Sequence, residues 1–292
     1  MKTKKNSFRI ALFRQLEKSS SLAKLVGWSV KINQPRFIVH LVIYFLFLRL
    51  LKTDIDEAER KKVRAYKNVL DFFTRKLEPN ARPIAKGQNF TSPADGKVIA
   101  AGLIKAKSQF EVKGTTYNLE ELTTLKESQL KKFIGGPHMT IYLSPRDYHR
   151  VHMPADGSLK KVVAIGKGFL PVNNFSLENL GQVFSHNRRM IFFFESKKGS
   201  FILIMVGALN VGKILVSFDQ ALAKTFSQER KKKLEKNYSK LNLKKGDELA
   251  TFCLGSTVIL IGEKKTKSLF LQKVKKQKQP TIKMGQEVSP FF

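Results

Sequence analysis

The sequence predicts an α+β protein: a helical, membrane-associating N-terminal region followed by a β-rich, mostly antiparallel domain. Two observations carry this. Up to about residue 80, apolar residues recur at helical spacing or form one long apolar run. From about residue 84 the chain breaks into short runs rich in Val, Ile and Phe, punctuated by Gly, Pro and Asn. The expected division is 1–80 and 81–292.

In the first region, Phe8, Ala11, Leu12 and Leu16, then Leu22, Leu25 and Val26, fall at helical spacing with Lys and Arg between them, so a basic amphipathic helix is expected. Residues 37–48 are almost wholly apolar, interrupted by His40 and followed by Arg49. A membrane span needs about 20 such residues. The run is shorter, and it predicts a helix lying in the membrane interface, with a buried core helix as the alternative. It sits too far from the start, and without a small-residue cleavage site, to be a secretory leader. Asp54, followed by Asp56, Glu57 and Glu59, places an N-cap and acidic first turn at the head of a further helix over 54–75. Glu78-Pro79-Asn80 is a turn.

Strands are expected at 98–104, 139–143, 190–194, 201–206, 214–218 and 257–261. The basic stretch 221–240 predicts an exposed helix or a surface insertion. Pro-Ala-Asp-Gly occurs at 93–96 and again at 154–157, and each copy reads first as a tight turn.

Composition narrows the classes of function. A hydrophobic fraction of 42% with 26% charged residues is that of a folded chain. The 54 basic and 23 acidic residues give a net charge of +31, which is read as attraction to an acidic partner, with a generally lysine-rich proteome as the alternative source of much of the excess. The cations are scattered, and no zinc finger or aromatic RNA-binding strand accompanies them, so the expected partner is an anionic membrane rather than nucleic acid. Cys253 stands alone, which removes any intrachain disulfide and fits a cytosolic setting. No His, Cys and acid cluster has metal-ligand spacing, so no metal is expected.

Three segments can carry chemistry: Ser92 to Val98 around Asp95, Ser144 to Pro154 with His149 and His152, and Phe252 to Val258 with Gly255-Ser256-Thr257. Asp, His and Ser together can activate a nucleophile, the His taking the hydroxyl proton and the Asp fixing the imidazole. Read singly, the same residues are a turn Asp, structural histidines and a loop Ser. Cys253 reads as core packing, and His40 as structural or interfacial.

These segments, in this order, resemble the phosphatidylserine decarboxylase family. The Tyr148-His149-Arg150-Val151-His152-Met153-Pro154 run is the most specific part. The likeness extends to Asp71-Phe72-Phe73-Thr74-Arg75, Ala81-Arg82-Pro83-Ile84, Val206-Gly207-Ala208, Asn210-Val211-Gly212 and Met284-Gly285-Gln286. It spans nearly the whole chain from about residue 10.

The resemblance implies that Asp95, His152 and Ser256 form a charge relay for self-cleavage between Gly255 and Ser256. The products would be a β chain, 1–255, and an α chain, 256–292, held as a heterodimer. Ser256 would become a covalent pyruvoyl group, the cofactor, which forms a Schiff base with phosphatidylserine. His149 matches a candidate proton donor in the decarboxylation that gives phosphatidylethanolamine. Asp156, in the second Pro-Ala-Asp-Gly, keeps its turn reading. The implied location is peripheral, on the cytoplasmic side of the cell membrane.

The chain departs from the family pattern at Asn174, where many relatives have Pro. It departs again at Asn187-Arg188-Arg189, where Asn-Glu-Arg is usual, and at Ala250-Thr251-Phe252 before the cleavage motif. The first two bear on the pocket around 170–190. Three rival readings stand beside the resemblance. One is a serine hydrolase with the same triad and an intact chain. Another is a non-enzymatic basic binding protein. The third is a related decarboxylase acting on another seryl lipid.

Overall fold

The computed structural model describes residues 35–166, 168, 170–172, 174–208, 214–228, 233–253, 256–269 and 280–289. The expected amphipathic helix within 8–26, and Gly255 itself, lie outside the described residues.

The apolar run forms helix α1, Arg36–Val42, which continues without a break as a wider π-type helix over Ile43–Leu50. One side is buried through Val39, Ile43 and Phe47, in a small core with Tyr66, Phe72 and Phe73. The other side leaves Phe37, Leu41, Phe45 and Leu50 in the open, at 64%, 49%, 60% and 73% exposure. The buried side matches the core-helix alternative, and the other side is apolar and exposed. No helix among the described residues is long and apolar enough to cross a membrane.

The single helix expected over 54–75 does not form. Asp54 Oδ1 accepts from the Asp56 amide at 2.9 Å, which makes a local turn instead of a helix start. Ala58 then bridges to Leu77, and only Val63–Ala65 (3₁₀) and helix α2, Val69–Phe73, are helical. The cap of α2 is Asn68, whose side chain accepts from the Asp71 amide. Arg60 clamps Asp71 through paired bonds of 2.7 and 2.9 Å. Side-chain bonds to nearby amides and charges outcompete the acidic first-turn signal.

The remainder is β-rich, as expected. The strands are β1 Gly96–Leu103, β2 Gln109–Val112, β3 Thr115–Asn118, β4 Pro137–Leu143, β5 Arg150–His152, β6 Gly157–Ile165, β7 Arg189–Ser196, β8 Gly199–Gly207, β9 Ile214–Val216, β10 Lys233–Leu243, β11 Glu248–Phe252, β12 Ser256–Gly262 and β13 Thr281–Ile282. Eight of them form an antiparallel sheet ordered β10-β6-β7-β8-β12-β4-β1-β13, and β5-β11-β9 form a second sheet. The stretch 221–240 divides: Gln220–Gln228 is helix α3, and from Lys233 the chain becomes the edge strand β10. The lysine-rich, mostly exposed face of β10 fits an edge, where charge discourages further pairing.

Period-two alternation builds two cores on the large sheet. Phe201, Leu203 and Met205 of β8 with Val258 and Leu260 of β12 face the small sheet. Ile202, Ile204 and Val206 with Ile259 and Ile261 face the β2-β3 hairpin and short helices. Strand β12 runs through the middle of the sheet, so Ser256, at its head, lies on the first face and is fully buried.

Candidate active site

Ser256 pairs with Leu143 of β4 on one side and Gly207 of β8 on the other. Its backbone is thereby fixed. Its Oγ, however, is buried with no hydrogen-bond partner, a costly state for a hydroxyl. That orphaned oxygen fits a residue destined for covalent chemistry. Cys253 is buried, which fits its packing reading.

Asp95 ends the first Pro-Ala-Asp-Gly, just before β1. Gly96 is required there, because any side chain would collide with the Tyr142 carbonyl of β4. Asp95 and Ser256 are thus two strands apart across β4, roughly 10 Å between backbones. The Asp95 carboxylate accepts from Arg82 Nε at 2.9 Å and Nη2 at 2.6 Å, and from the Met284 amide at 2.8 Å. Arg82 Nη2 also reaches Glu57 at 2.6 Å, which Lys283 contacts at 2.7 Å. Arg82 foremost, with Lys283, holds the Glu57 carboxyl down to about 2.

His152 lies on β5, and its backbone amide donates to the Pro93 carbonyl at 2.8 Å, which ties it to the Asp95 turn. Both ring nitrogens are occupied. Nδ1 is 2.8 Å from the Gly246 carbonyl, and Nε2 is 3.0 Å from the Tyr148 hydroxyl. A carbonyl only accepts, so Nδ1 carries the proton and Nε2 the lone pair. Burial pushes the Tyr148 phenol far above its usual range, so Tyr148 is a lasting donor to that lone pair. Gly246 adopts a left-handed φ of +90°, which a glycine accommodates, in the turn that aims its carbonyl at His152.

The structure therefore makes Asp95 and His152 neighbours without a bond between their side chains, and His152 makes no hydrogen bond to Ser256. The tautomer needed for a base is set by Gly246 rather than by Asp95. Burial lowers the His152 pKa.

His149 is fully buried against the Phe73 ring, 3.9 Å between centroids. Its Nδ1 donates to the Asp147 carbonyl at 2.8 Å, while Nε2 has no partner. Burial drives its pKa down to about 3, with the nearby Arg75 charge acting in the same direction. At neutral pH His149 is therefore uncharged with a bare Nε2, a base in the resting molecule. The Phe252 amide donates to the His149 carbonyl at 3.0 Å, which brings the end of β11 onto this histidine.

In the 170–190 region, Asn187 straps the 170 loop to β8. Its amide bonds both backbone groups of Leu170 at 2.7 Å and the Gly207 carbonyl at 2.9 Å, directly opposite Ser256. Arg188 lies 3.9 Å over the Phe226 ring, and Arg189 is buried against four backbone carbonyls. Asp156 accepts from the Lys245 amide, as a turn residue does. Of the other buried histidines, His138 packs on Phe110 in β4 and is pushed down to about 4 by burial. Among the described residues, no group of three or more His, Cys, Asp and Glu is placed to hold a metal.

Arg82, Tyr148, Gly246 and Arg75 are contacts the sequence reading did not assign. Arg75 and Arg82 do lie in the segments that carried the resemblance, which was the available signal.

Comparison with known proteins identifies similar chains. The family model described as phosphatidylserine decarboxylase matches residues 69–289. A phosphatidylserine decarboxylase proenzyme of Saccharophagus degradans is 35% identical over 92% of each chain. Proenzymes of the same name from Haemophilus ducreyi and Idiomarina loihiensis are each 36% identical. The first covers 85% of this chain and 82% of that one, the second 73% and 74%.

Proposed function

The chain belongs to the phosphatidylserine decarboxylase family, and from that premise we propose that Ser256 is both the nucleophile of self-cleavage and the source of the working carbonyl. The enzyme is a carboxy-lyase made as a proenzyme, and it converts phosphatidylserine to phosphatidylethanolamine. The observation that carries the Ser256 assignment is its buried, unpartnered Oγ at the head of a central strand.

In self-cleavage, His152 releases Tyr148 and uses Nε2 to take the Ser256 proton. Ser256 Oγ attacks the Gly255 carbonyl, and the peptide N–C bond gives way to an ester. Loss of the Ser256 α-proton expels the Gly255 carboxylate and leaves dehydroalanine. Water then replaces its nitrogen, which departs as ammonia, and a pyruvoyl group remains at the head of β12. Asp95 supports the imidazolium through its charge. Its clamp on Arg82 and the Met284 amide fixes that charge beside His152.

Once formed, the pyruvoyl group supplies an electron sink for the charge left by carbon dioxide. The chain's own residues manage the protons. The substrate amine arrives as ammonium and loses its proton to solvent before it reacts. His149, whose pKa is about 3 in the resting molecule, is too weak a base to take that proton. Its Nε2 is the candidate that protonates the carbon that lost carbon dioxide, once substrate in the site has raised its affinity for a proton.

Membrane attachment is assigned to the open face of α1 and its continuation. Phe37, Leu41, Phe45 and Leu50 would enter the interface of an anionic bilayer, and the net positive charge adds attraction. The location is then peripheral, on the cytoplasmic face. The two chains remain together as a heterodimer.

Intact mass spectrometry of the purified protein tests the central assignment. The expected result is a 256–292 fragment with a blocked N-terminus. A chain that stays whole, with full decarboxylase activity in Ser256→Ala, would overturn it.

A further inference from the structure

Arg75 follows α2 and is 4% exposed. Its Nη2 donates to the Arg146 carbonyl at 2.9 Å and lies 3.5 Å from the Asp147 carbonyl. That second carbonyl is the one that holds His149 Nδ1. Arg75 and His149 therefore sit on one oxygen. The guanidinium also rests 5.2 Å over the Phe72 ring.

What Arg75 lacks is an anion. Its Nε and Nη1 are buried without hydrogen-bond partners, and no ion pair to it exists among the described residues. The two nearest acids are engaged elsewhere. Asp95 is clamped by Arg82, and Asp147 turns its carboxylate to the Ser144 amide at 2.7 Å. A buried cation with two idle donors is expensive unless something negative arrives. Tethering the 146–147 turn requires only Nη2 and leaves the other two donors unexplained.

The geometry points to Arg75 as the receptor for the phosphodiester of the lipid headgroup, seated beside His149. This rests on the decarboxylase reading and deepens it. The substrate offers two anionic groups, and chemistry selects between them. The carboxylate loses its charge as it becomes carbon dioxide, so a cation on it would stabilise the starting state over the transition state. The phosphodiester keeps its charge throughout, and it can accept two parallel N–H bonds from a guanidinium. Arg75 also follows α2, whose Phe72 and Phe73 pack against the buried side of α1 and its continuation.

The test compares two soluble substrates on self-cleaved enzyme: dihexanoyl phosphatidylserine, and the hexyl ether of serine, which has no phosphate. Wild-type activity on the first checks the underlying reading by itself, and its absence would count against that reading and not against Arg75. In Arg75→Met, KM for dihexanoyl phosphatidylserine is expected to rise about 10- to 100-fold. The ether should be handled as by wild type, and Arg75→Lys should recover part of the loss. Equal losses on both substrates would make Arg75 a tether and overturn the inference. Self-cleavage reports that a variant has folded. If Arg75→Met does not cleave, nitrogen-15 arginine spectra of the Ser256→Ala precursor decide, with glycerophosphoserine as the probe. A saturable shift of the Arg75 Nε–H signal supports the assignment, and an unmoved signal refutes it.

Discussion

Replacing Arg82 by Met removes the cation that Asp95 and Glu57 share. The side chains of Arg82 and Asp95 are 5% and 9% exposed, so water screens little of the interaction. Asp95 would keep only the Met284 amide, while Glu57 would keep Lys283. Removing one partner of a buried pair costs about 3–5 kcal/mol, mostly from the charge left behind. For a folded unit of this size that is a fall in Tm of roughly 6–20 °C. The measurement is urea and thermal unfolding by circular dichroism, in a Ser256→Ala background so that each molecule is one chain. The pH dependence adds a second check. Glu57 is depressed in the folded state, so its contribution is complete above its unfolded value of 4.5 and is lost as pH falls toward 2. The gap between Arg82→Met and its parent should therefore narrow below pH 4.5. A deficit under about 1 kcal/mol at pH 7, or one that is the same at pH 7 and pH 3, would show that the network is not the buried clamp described.

Tyr148→Phe frees the His152 lone pair, and newly made precursor should self-cleave about 2- to 10-fold faster. Slower processing of a normally folded variant, followed by gel after cell-free synthesis, would refute this. Phe37→Ser combined with Phe45→Ser should weaken co-sedimentation with anionic vesicles by about 10-fold or more, with unchanged thermal stability. Sedimentation equal to wild type would sink the docking assignment. His138 is depressed from 6.5 to about 4, so the unfolded chain binds the extra proton and stability falls as pH drops through that window. His138→Leu should flatten this loss by about 1.4 kcal/mol per pH unit, and an unaltered slope would contradict the burial of that ring.

The strands were legible because their apolar runs are short and bounded by Gly, Pro and Asn. All six expected runs fall on strands of the structure, although 98–104 is a strand only as far as Leu103 and 214–218 only as far as Val216. The helix over 54–75 misled because an acidic first turn describes helix starts in general. It could not reveal that Asp54 closes its own turn, or that Asp71 belongs to Arg60. Strand β10 was hidden because an edge strand with one wet face reads as a polar surface segment. At the site, the residues bearing reactive atoms were visible as motifs, but their partners were not. Gly246 contributes only a carbonyl, and Arg82 meets Asp95 and Glu57 through tertiary folding. Such contacts leave no periodicity for a sequence pattern to show.

The place of β12 between β8 and β4 has a consequence for how the protein is made. Scission ahead of Ser256 would leave that strand stitched into the sheet by a ladder on each side, so nothing would fall away. What changes is the reverse path. Before scission, folding is a first-order event within one molecule. Afterwards, a denatured enzyme must find its small partner by diffusion and thread it between two strands that would otherwise be exposed edges. Recovery from urea should then depend on concentration for the mature enzyme and not for the Ser256→Ala precursor. The intact chain would serve as its own assembly jig, discarded once the working carbonyl is in place.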